Sequence, residues 1–315
     1  MIRLVFFGTP ELSVPFLRAL EADPAFEVAA VVTQPDKPSG RGGTLTASPV
    51  KTAAADLGIP VLDFASLKKH PTAVDTLKAL AADAFVVVAY GKLIPQDVLG
   101  LPRLGCLNMH PSLLPKFRGP SPMQYALKEG DATTGISIML LDEGMDTGPI
   151  LAFETISIDD VETLGSLTQK VMHAGPSLLV STLKRHAAGE IVPMRQDATK
   201  ATLTKLLERE DGHLDWSKPV AELERLVRAY QGWPGTYAVW NRQGVPMRLK
   251  VLSAAPTDLK ADFPLGTVQT HDGRLCVEAS DGTLEILSLQ PEGKAAMTAG
   301  TFLKGHSDIN GVVLA

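Results

Sequence analysis

The sequence contains little cysteine and no long hydrophobic run. Its two cysteines, Cys106 and Cys276, exclude a disulfide framework and a CxxC metal site, because they are few and far apart. No apolar run approaches the ~18 residues of a membrane span, and the first one, at residues 4–7, is shorter than the ~7–15 residues of a secretory signal. We therefore expect a soluble cytoplasmic protein.

An excess of positive charge is also missing. The 30 Lys and Arg residues against 35 Asp and Glu give a formal net charge of −5. This balance excludes a protein coated in positive charge, although it allows a local basic patch. With 45% hydrophobic and 21% charged residues, the composition excludes extensive disorder. A length of 315 residues suggests two domains, at about 150 residues per domain.

Short apolar runs alternate with amphipathic stretches through the first 190 residues. Continuous runs rich in Val, Ile or Phe are typical of strands buried on both faces, and they lie at residues 4–7, 28–33, 85–89 and 136–141. Helical patterns lie at residues 13–22, 50–57, 73–82 and 164–188. The alternation predicts βαβ crossovers and a mostly parallel sheet. In the last helix, Gly175-Pro176 predicts a kink or a split.

The pattern changes after about residue 191. Residues 195–210 are polar without clear periodicity, which is typical of a linker, and residues 222–229 predict a short helix. Strand-like runs follow at residues 247–253, 267–270, 275–279 and 284–289. Asp272-Gly273 and Asp281-Gly282 are strong hairpin signals, because Gly accepts the positive φ of tight turns. About five short strands with one helix fit a small β-barrel.

The first strand-to-helix turn, Gly8-Thr9-Pro10-Glu11, does not match a dinucleotide site. Such a site requires G-x-G-x-x-G, so that the backbone can approach a pyrophosphate. Pro10 stands at the second glycine position and Ser13 at the third. The turn therefore predicts a nucleotide-fold scaffold without bound NAD or FAD.

Asn108 and His110 carry the strongest chemical signal. They lie two residues apart at the end of a predicted strand, and Pro111 keeps His110 extended, so both side chains share one face with Met109 opposite. Ligands of open α/β sheets bind outside the carboxyl ends of strands. We therefore predict an active site here, while a purely structural His110 remains the alternative.

A run of three carboxylates, Asp142-Glu143-Gly144-Met145-Asp146-Thr147-Gly148, follows the strand at residues 136–141. It is compatible with a metal site, a general-base loop or a solvated turn. We expect no metal, because His110 has no His partner at ligand spacing. The two glycines predict a bent loop that brings one carboxylate back toward the sheet. Cys106 is expected to be inert inside its strand.

A long irregular segment, residues 34–51, contains Lys37, Arg41 and Lys51 against a single acidic residue, Asp36. Long loops of this kind are usually functional or disordered. The local charge suits a phosphate-bearing partner, and a solvated connection is equally compatible with the sequence.

These residues resemble a known family. Asn108, His110 and Asp146, around Ser112-Leu113-Leu114-Pro115-Lys116-Phe117-Arg118-Gly119, are similar to the catalytic core of the 10-formyltetrahydrofolate-dependent formyltransferases. The similarity is greater to the members that formylate methionyl-tRNA. It extends over Phe7-Gly8-Thr9-Pro10, Thr33-Gln34-Pro35-Asp36, Ser48-Pro49-Val50-Lys51, Val88-Ala89-Tyr90-Gly91, residues 142–148, Asp215-Trp216, Trp233-Pro234-Gly235 and Gln290-Pro291-Glu292-Gly293-Lys294.

The resemblance implies transfer of a formyl group from 10-formyltetrahydrofolate, as co-substrate, to the α-amine of methionyl initiator tRNA. Asn108 and a protonated His110 would donate to the oxyanion, and Asp146 would raise the pKa of His110 and hold a water that relays protons. No metal is required. The implied folate-binding residues are Ser112, Leu113, Leu114, Pro115, Val88, Ala89, Tyr90, Gly91, Asp142, Glu143 and Gly144. The implied tRNA-binding residues are Arg41 and Lys37.

The resemblance also implies a domain plan. Residues 1–190 would form a Rossmann-like formyltransferase domain of the α/β class with a mostly parallel sheet. Residues 191–210 would form a linker, and residues 211–315 a small OB-like β-barrel that binds tRNA. We expect a monomer. Two alternatives remain: a formyltransferase acting on a small amine, such as glycinamide ribonucleotide or an amino-sugar nucleotide, and a non-catalytic nucleic-acid-binding module.

Overall fold

The computed structural model describes residues 1–39, 44–68, 70, 72–259 and 263–315. By their contacts the residues group into two compact units. The first contains Met1–Pro122, Thr133–Ser157 and Thr168–Thr204, and the second contains Met123–Ala132, Ile158–Leu167 and Lys205–Ala315. The predicted domain limits at residues 190 and 211 stay a prediction.

A seven-stranded sheet forms the first unit and confirms the predicted α/β class. The strands of this half of the chain are β1 (Ile2–Gly8), β2 (Phe26–Val32), β3 (Lys37–Ser39), β4 (Thr44–Thr46), β5 (Val61–Leu62), β6 (Ala84–Val88), β7 (Cys106–His110), β8 (Thr133–Leu140) and β9 (Ile150–Ser157). The sheet order is β5-β2-β1-β6-β7-β8-β9, and β3 pairs with β4 separately. The pairings from β5 to β7 are parallel, whereas β8 and β9 run antiparallel to their neighbours.

The helices of this half of the chain are α1 (Val14–Glu21), α2 (Pro49–Asp56), α3 (Ala73–Ala79), α4 (Gln96–Leu99), α5 (Pro122–Glu129) and α6 (Leu164–Ala187). Helix α2 begins at Pro49, and the Ser48 hydroxyl caps it by accepting the Lys51 amide at 3.1 Å. Helix α6 continues through Pro176, so the predicted split is wrong. Gly175 has a packing role there, since a Cβ would lie 2.4 Å from the Phe16 ring.

The C-terminal half forms an antiparallel sheet around a compact core. Its elements are α7 (Val220–Ala229), β10 (Thr236–Arg242), β11 (Val245–Thr257), β12 (Val268–His271), β13 (Arg274–Ala279), β14 (Gly282–Pro291), β15 (Met297–Thr298) and α8 (Ala299–Gly305). The order is β10-β11-β14-β13-β12, with β15 on β14. Both predicted hairpins form, and Asp272 and Gly273 adopt φ values of 50° and 78°. Trp240 lies fully buried in this core.

The last residues of the chain close this sheet into a barrel. Val239 of the edge strand β10 and Ala315 exchange two main-chain hydrogen bonds, at 2.7 and 3.0 Å. On the other side, Leu314 donates to Gly266 at 2.9 Å, and Val268 of the edge strand β12 donates to Val312 at 2.7 Å. The C-terminal segment thus pairs with both edge strands, as a closed barrel requires. The predicted small barrel is confirmed. The sequence pattern did not predict the segment that closes it.

In the described part of the chain, no helix combines the length and the apolar character needed to cross a membrane.

Candidate active site

The end of β7 places Asn108 and His110 on one face of the strand, as predicted from their spacing. The parallel neighbour β6 lies on one side of β7 and the antiparallel strand β8 on the other. His110 is buried, with 4% of its surface exposed, whereas Asn108 is half-buried. A buried imidazole in a strand must have a specific polar environment, because an unpaired ring nitrogen is costly.

Both ring nitrogens of His110 face oxygen atoms. Nε2 lies 2.9 Å from the main-chain oxygen of Phe117. Since a carbonyl only accepts, Nε2 carries the proton in this hydrogen bond. Nδ1 lies 3.6 Å from Oδ2 of Asp146. The neutral ring therefore keeps its lone pair on Nδ1, next to the carboxylate.

Burial lowers the pKa of His110 below its ordinary value of 6.5, and it outweighs the opposing effects of Asp146 and of the Phe117 carbonyl. Asp146 raises this pKa, as the resemblance implied, whereas burial acts against the protonated His110 that was expected. The sequence indicated the Asp146 carboxylate but not how deeply His110 is buried, because that burial depends on the packing of the sheet. Burial thus favours the neutral imidazole.

A bent loop at residues 142–148 brings Asp146 to His110, in agreement with the sequence prediction. Asp142 Oδ1 accepts the Gly144 amide at 3.0 Å and the Thr147 hydroxyl at 2.6 Å, which closes a tight turn. At Gly148 the loop passes so close to the sheet that a Cβ would lie 1.8 Å from the Leu140 carbonyl oxygen. Only glycine fits at this close approach.

The Asp146 carboxylate is anchored by a second loop. Its Oδ2 accepts the Gly119 amide at 2.7 Å. Gly119 has a φ of 109°, and a Cβ there would lie 2.7 Å from the Thr204 carbonyl oxygen, so this position requires glycine. Asp146 itself has a φ of 54°, a left-handed conformation that is uncommon for a residue with a side chain. The surrounding contacts hold the carboxylate in place.

Gln196 connects the two loops and was missed by the sequence analysis. Its side-chain Nε2 donates to the main-chain oxygens of Asp146, at 2.8 Å, and Gly148, at 2.7 Å. Its Oε1 accepts two hydrogen bonds from the guanidinium of Arg118. Gln196 lies in the segment predicted as a linker, and that polar segment carries no local signal for these contacts.

The predicted folate-binding turn after β7 is fixed to the neighbouring strand β8. Ser137 Oγ donates to the Ser112 carbonyl at 2.7 Å and accepts the Leu114 amide at 3.1 Å. Ser112 Oγ in turn donates to the Lys116 carbonyl at 2.7 Å. Leu113 and Pro115 are half-buried. These contacts preorganise the turn without any ligand contact being needed to hold it.

The segment after β6 presents main chain rather than a phenol. Val88 is the last residue of β6, and both Ala89 and Gly91 adopt left-handed conformations. The Tyr90 carbonyl accepts the Gln34 side-chain amide at 2.9 Å. The Tyr90 ring lies in the core, where burial raises its pKa to about 12. If residues 88–91 bind folate, Tyr90 contributes through its backbone.

The acidic residues Asp142 and Glu143 lie at the surface. Glu143 accepts a hydrogen bond from the Gln96 side chain of α4. Within the described residues, no group of three His, Cys, Asp or Glu side chains is placed to hold a metal ion. In this loop Asp142 closes the turn and Asp146 faces His110.

In the basic loop, the structure describes Lys37 but not Arg41, which falls outside the described residues. Lys37 Nζ donates to the Gln34 side-chain oxygen at 2.7 Å. Lys51 is paired with Asp36 at 2.9 Å and Asp63 at 3.0 Å, and these carboxylates raise its pKa. The Lys51 ammonium group therefore stabilises the fold through these two ion pairs.

Cys106 is buried in β7, where burial raises the pKa of its thiol to about 12. Since the thiolate is the nucleophile, this burial supports the expectation that Cys106 is inert, which stays a prediction.

Comparisons with known families cover most of the chain. A model described as "Formyl transferase" matches residues 2–183, and one described as "Formyl transferase, C-terminal domain" matches residues 206–307. The chain is 45% identical over 305 residues to the "Methionyl-tRNA formyltransferase" of Roseiflexus sp. (strain RS-1), which covers 96% of this chain and 92% of the relative.

Solved structures show the same fold at low identity. WlaRD, a sugar 3N-formyl transferase, is similar with a TM-score of 0.66 at 17% identity, over 94% of this chain and 99% of that one. HypX from Aquifex aeolicus in complex with tetrahydrofolic acid is similar with a TM-score of 0.60 at 17% identity, over 96% of this chain and 47% of that one. On the family models and the curated relatives, the chain belongs to the formyl transferase family and groups there with the methionyl-tRNA formyltransferases.

Proposed function

We propose that this chain transfers the formyl group of 10-formyltetrahydrofolate to the α-amino group of methionyl initiator tRNA, which produces formylmethionyl-tRNA for translation initiation. The relatives at 45% identity and below support methionyl-tRNA as the acceptor of a formyl group through their name. The observation that carries the chemistry is the buried His110, which lies on the same strand as Asn108. Its Nδ1 lies 3.6 Å from the Asp146 carboxylate.

In this mechanism Asn108 stabilises charge and His110 moves the proton. As the amine attacks the formyl carbon, a carbon–nitrogen bond forms and the carbonyl electron pair moves to oxygen. The Asn108 amide donates a hydrogen bond to that oxygen as its negative charge develops. Neutral His110 accepts the amine proton on Nδ1, and Asp146 stabilises the imidazolium that results.

The second half of the reaction returns the proton. The oxygen electron pair re-forms the carbonyl while the bond from the formyl carbon to N10 breaks. The imidazolium of His110 gives its proton to N10, and the neutral imidazole is regenerated. A neutral imidazole at the start suits this cycle, because a protonated one could not accept the proton in the first step.

We further propose that the folate lies against Val88, Ala89, Tyr90 and Gly91, the turn Ser112–Pro115 and the loop residues Asp142, Glu143 and Gly144. The residues fit such a ligand: the left-handed backbone at Ala89 and Gly91 and the half-buried apolar Leu113 and Pro115 combine polar main chain with apolar surface. Ligand sites commonly have this composition. The bound folate supplies the activated formyl group.

The barrel is proposed to hold the tRNA, within the domain plan predicted above. Arg248 stacks over the Tyr237 ring with its guanidinium carbon 4.2 Å from the ring centroid. Lys250 lies opposite Tyr237 on β11. Cations beside an aromatic ring on a strand surface suit phosphate and base contacts. We propose that the protein works as a cytoplasmic monomer.

The rate of formylation is expected to fall on the acidic side of neutral pH. Because burial lowers the pKa of His110, the ring is protonated only below its ordinary value of 6.5. Protonation removes the acceptor on Nδ1, so kcat decreases as the pH falls through that lowered pKa. Single-turnover rates at saturating substrates between pH 5 and 8 measure this decrease, which is the acidic limb of the pH–rate profile. A rate that instead rises toward acid would support a cationic donor at His110.

Replacing Arg41 by alanine is expected to weaken formylation of Met-tRNA strongly while leaving folate affinity intact. Arg41 lies between Gly40 and Gly42, and its guanidinium suits paired contacts to phosphate or base edges. Lys37→Ala is expected to have a smaller effect and to reduce the slope of log affinity against log salt by about one unit. Equal tRNA kinetics for Arg41→Ala and the natural chain across salt concentrations would contradict a tRNA role.

The proposed function is tested by comparing acceptors with one preparation of enzyme and 10-formyltetrahydrofolate. The acceptors are initiator Met-tRNA, elongator Met-tRNA, glycinamide ribonucleotide and an amino-sugar nucleotide. We expect formylation of the initiator and much slower formylation of the others. Preference for a small amine would overturn the tRNA assignment, and the absence of folate binding in a titration would favour the non-catalytic module.

A further inference from the structure

Gln196 connects the site to a segment of the chain that lies outside the motifs quoted above. It is buried, with 9% of its surface exposed. All four side-chain hydrogen bonds that the structure records for it end on the two loops around Asp146. A buried amide with matched partners fixes geometry, because any rotation leaves donors and acceptors unpaired.

Arg118 sets the orientation of this amide. Its Nε and Nη2 donate to Gln196 Oε1 at 3.0 and 2.8 Å. Guanidinium groups only donate, so the amide oxygen must face Arg118 and the amide nitrogen must face the opposite side. Arg118 is itself buried, so its guanidinium needs an acceptor within the protein, and Gln196 Oε1 is one.

The amide nitrogen then holds the loop at two points. Its hydrogen bonds reach the main-chain oxygens of Asp146 and Gly148, two residues apart. The Asp146 backbone is in a left-handed conformation, which for a residue with a side chain persists only where surrounding contacts determine it. Without these two hydrogen bonds, the loop would lose contacts that hold Asp146 in that conformation.

We propose that Gln196, oriented by Arg118, is a positioning residue that holds the Asp146 carboxylate beside Nδ1 of His110. This inference rests on the proposed function. It assigns part of the catalytic geometry to a segment that the sequence pattern describes only as a polar connection.

The first test replaces Gln196 by methionine, which has a similar length and no amide. We expect kcat for Met-tRNA formylation to fall about 10–100-fold, since a small displacement of a catalytic group is sufficient for such a loss. The KM values for tRNA and folate should change less than about threefold, because neither substrate needs to contact Gln196. Gln169→Met, at an exposed position of α6, is the matched control and should keep the natural kcat.

A second variant separates positioning from folding. Gln196→Glu keeps an oxygen for Arg118 and removes both amide N–H donors toward the loop. We expect the same loss of kcat with a melting temperature close to that of the natural chain. A Gln196→Glu enzyme with natural kcat would overturn the proposal, since its donors to the loop would then have no role.

A double-mutant cycle with Asp146→Asn shows whether Gln196 acts through Asp146. We expect Gln196→Met to lower kcat by less than about twofold in the Asp146→Asn background, because its effect is exerted through the missing carboxylate. A full loss in that background would show a merely structural role and overturn the proposal.

Hydrogen exchange gives a readout that does not need catalysis. In Gln196→Met, the amides of residues 142–148 should exchange faster while those of β1 are unchanged. If the natural chain formylates no Met-tRNA, the proposed function fails. The exchange measurement still shows whether Gln196 holds the loop at residues 142–148. Unchanged exchange at residues 142–148 would overturn the positioning role.

Discussion

Replacing His110 by alanine is expected to lower kcat for Met-tRNA formylation about 10²–10³-fold, which is within the usual contribution of a positioned acid–base group. The variant lacks the Nδ1 lone pair that accepts the amine proton and returns it to N10. Binding of folate should change little, because the proposed folate contacts lie in the flanking loops. Rapid-quench formylation at saturating substrates measures the loss directly.

A second substitution at this position controls for folding. His110 is buried and bonded to the Phe117 carbonyl, so alanine leaves an unpaired acceptor. His110→Gln can keep a donor to that carbonyl but provides no titratable base. We expect His110→Gln to lose as much activity as His110→Ala, and to lack the acidic limb in its residual rate. His173→Ala, at an exposed position of α6, is the control expected to keep full activity. Near-natural turnover in folded His110→Gln would exclude the base assignment.

The local features of the site were predictable because they depend on neighbouring residues. Pro111 and the two-residue spacing place Asn108 and His110 on one strand face without any knowledge of the fold. Likewise Asp272-Gly273 determines a hairpin by its own backbone preference. The parallel part of the first sheet follows from alternating strands and helices. In each case the structure is determined by the preferences of residues that are close together in the sequence.

The remaining features depend on distant parts of the chain. The direction of β8 is set by pairing with β7, and the runs of apolar residues do not encode that direction. Gln196 meets Asp146 across 50 residues, and no periodicity marks either side chain. The charge of His110 depends on how completely the sheet and loops exclude water, and the carboxylate alone did not indicate that burial. The barrel is closed by residues 312–315, which are too short to stand out as a strand.

Replacing Asp146 by asparagine is expected to be at least as damaging as the loss of His110, with kcat reduced about 10²–10³-fold or more. The carboxylate faces Nδ1 at 3.6 Å in a partly buried position, where an opposite charge stabilises the imidazolium far more than it would in water. Asparagine retains an oxygen that can accept the Gly119 amide, so this change removes the charge while it keeps the anchor of the loop.

The pH dependence of the Asp146→Asn enzyme provides a second, independent result. Asp146 is the charge that raises the pKa of His110 against the effect of burial. Its removal lowers that pKa further, so the acidic limb of the residual rate should move to lower pH. Asp160→Asn, at an exposed turn, is the control and should leave both the rate and the limb unchanged. If Asp146→Asn turned over at the natural rate with an unmoved limb, the carboxylate would have no part in proton transfer, and the loop at residues 142–148 would serve the fold alone.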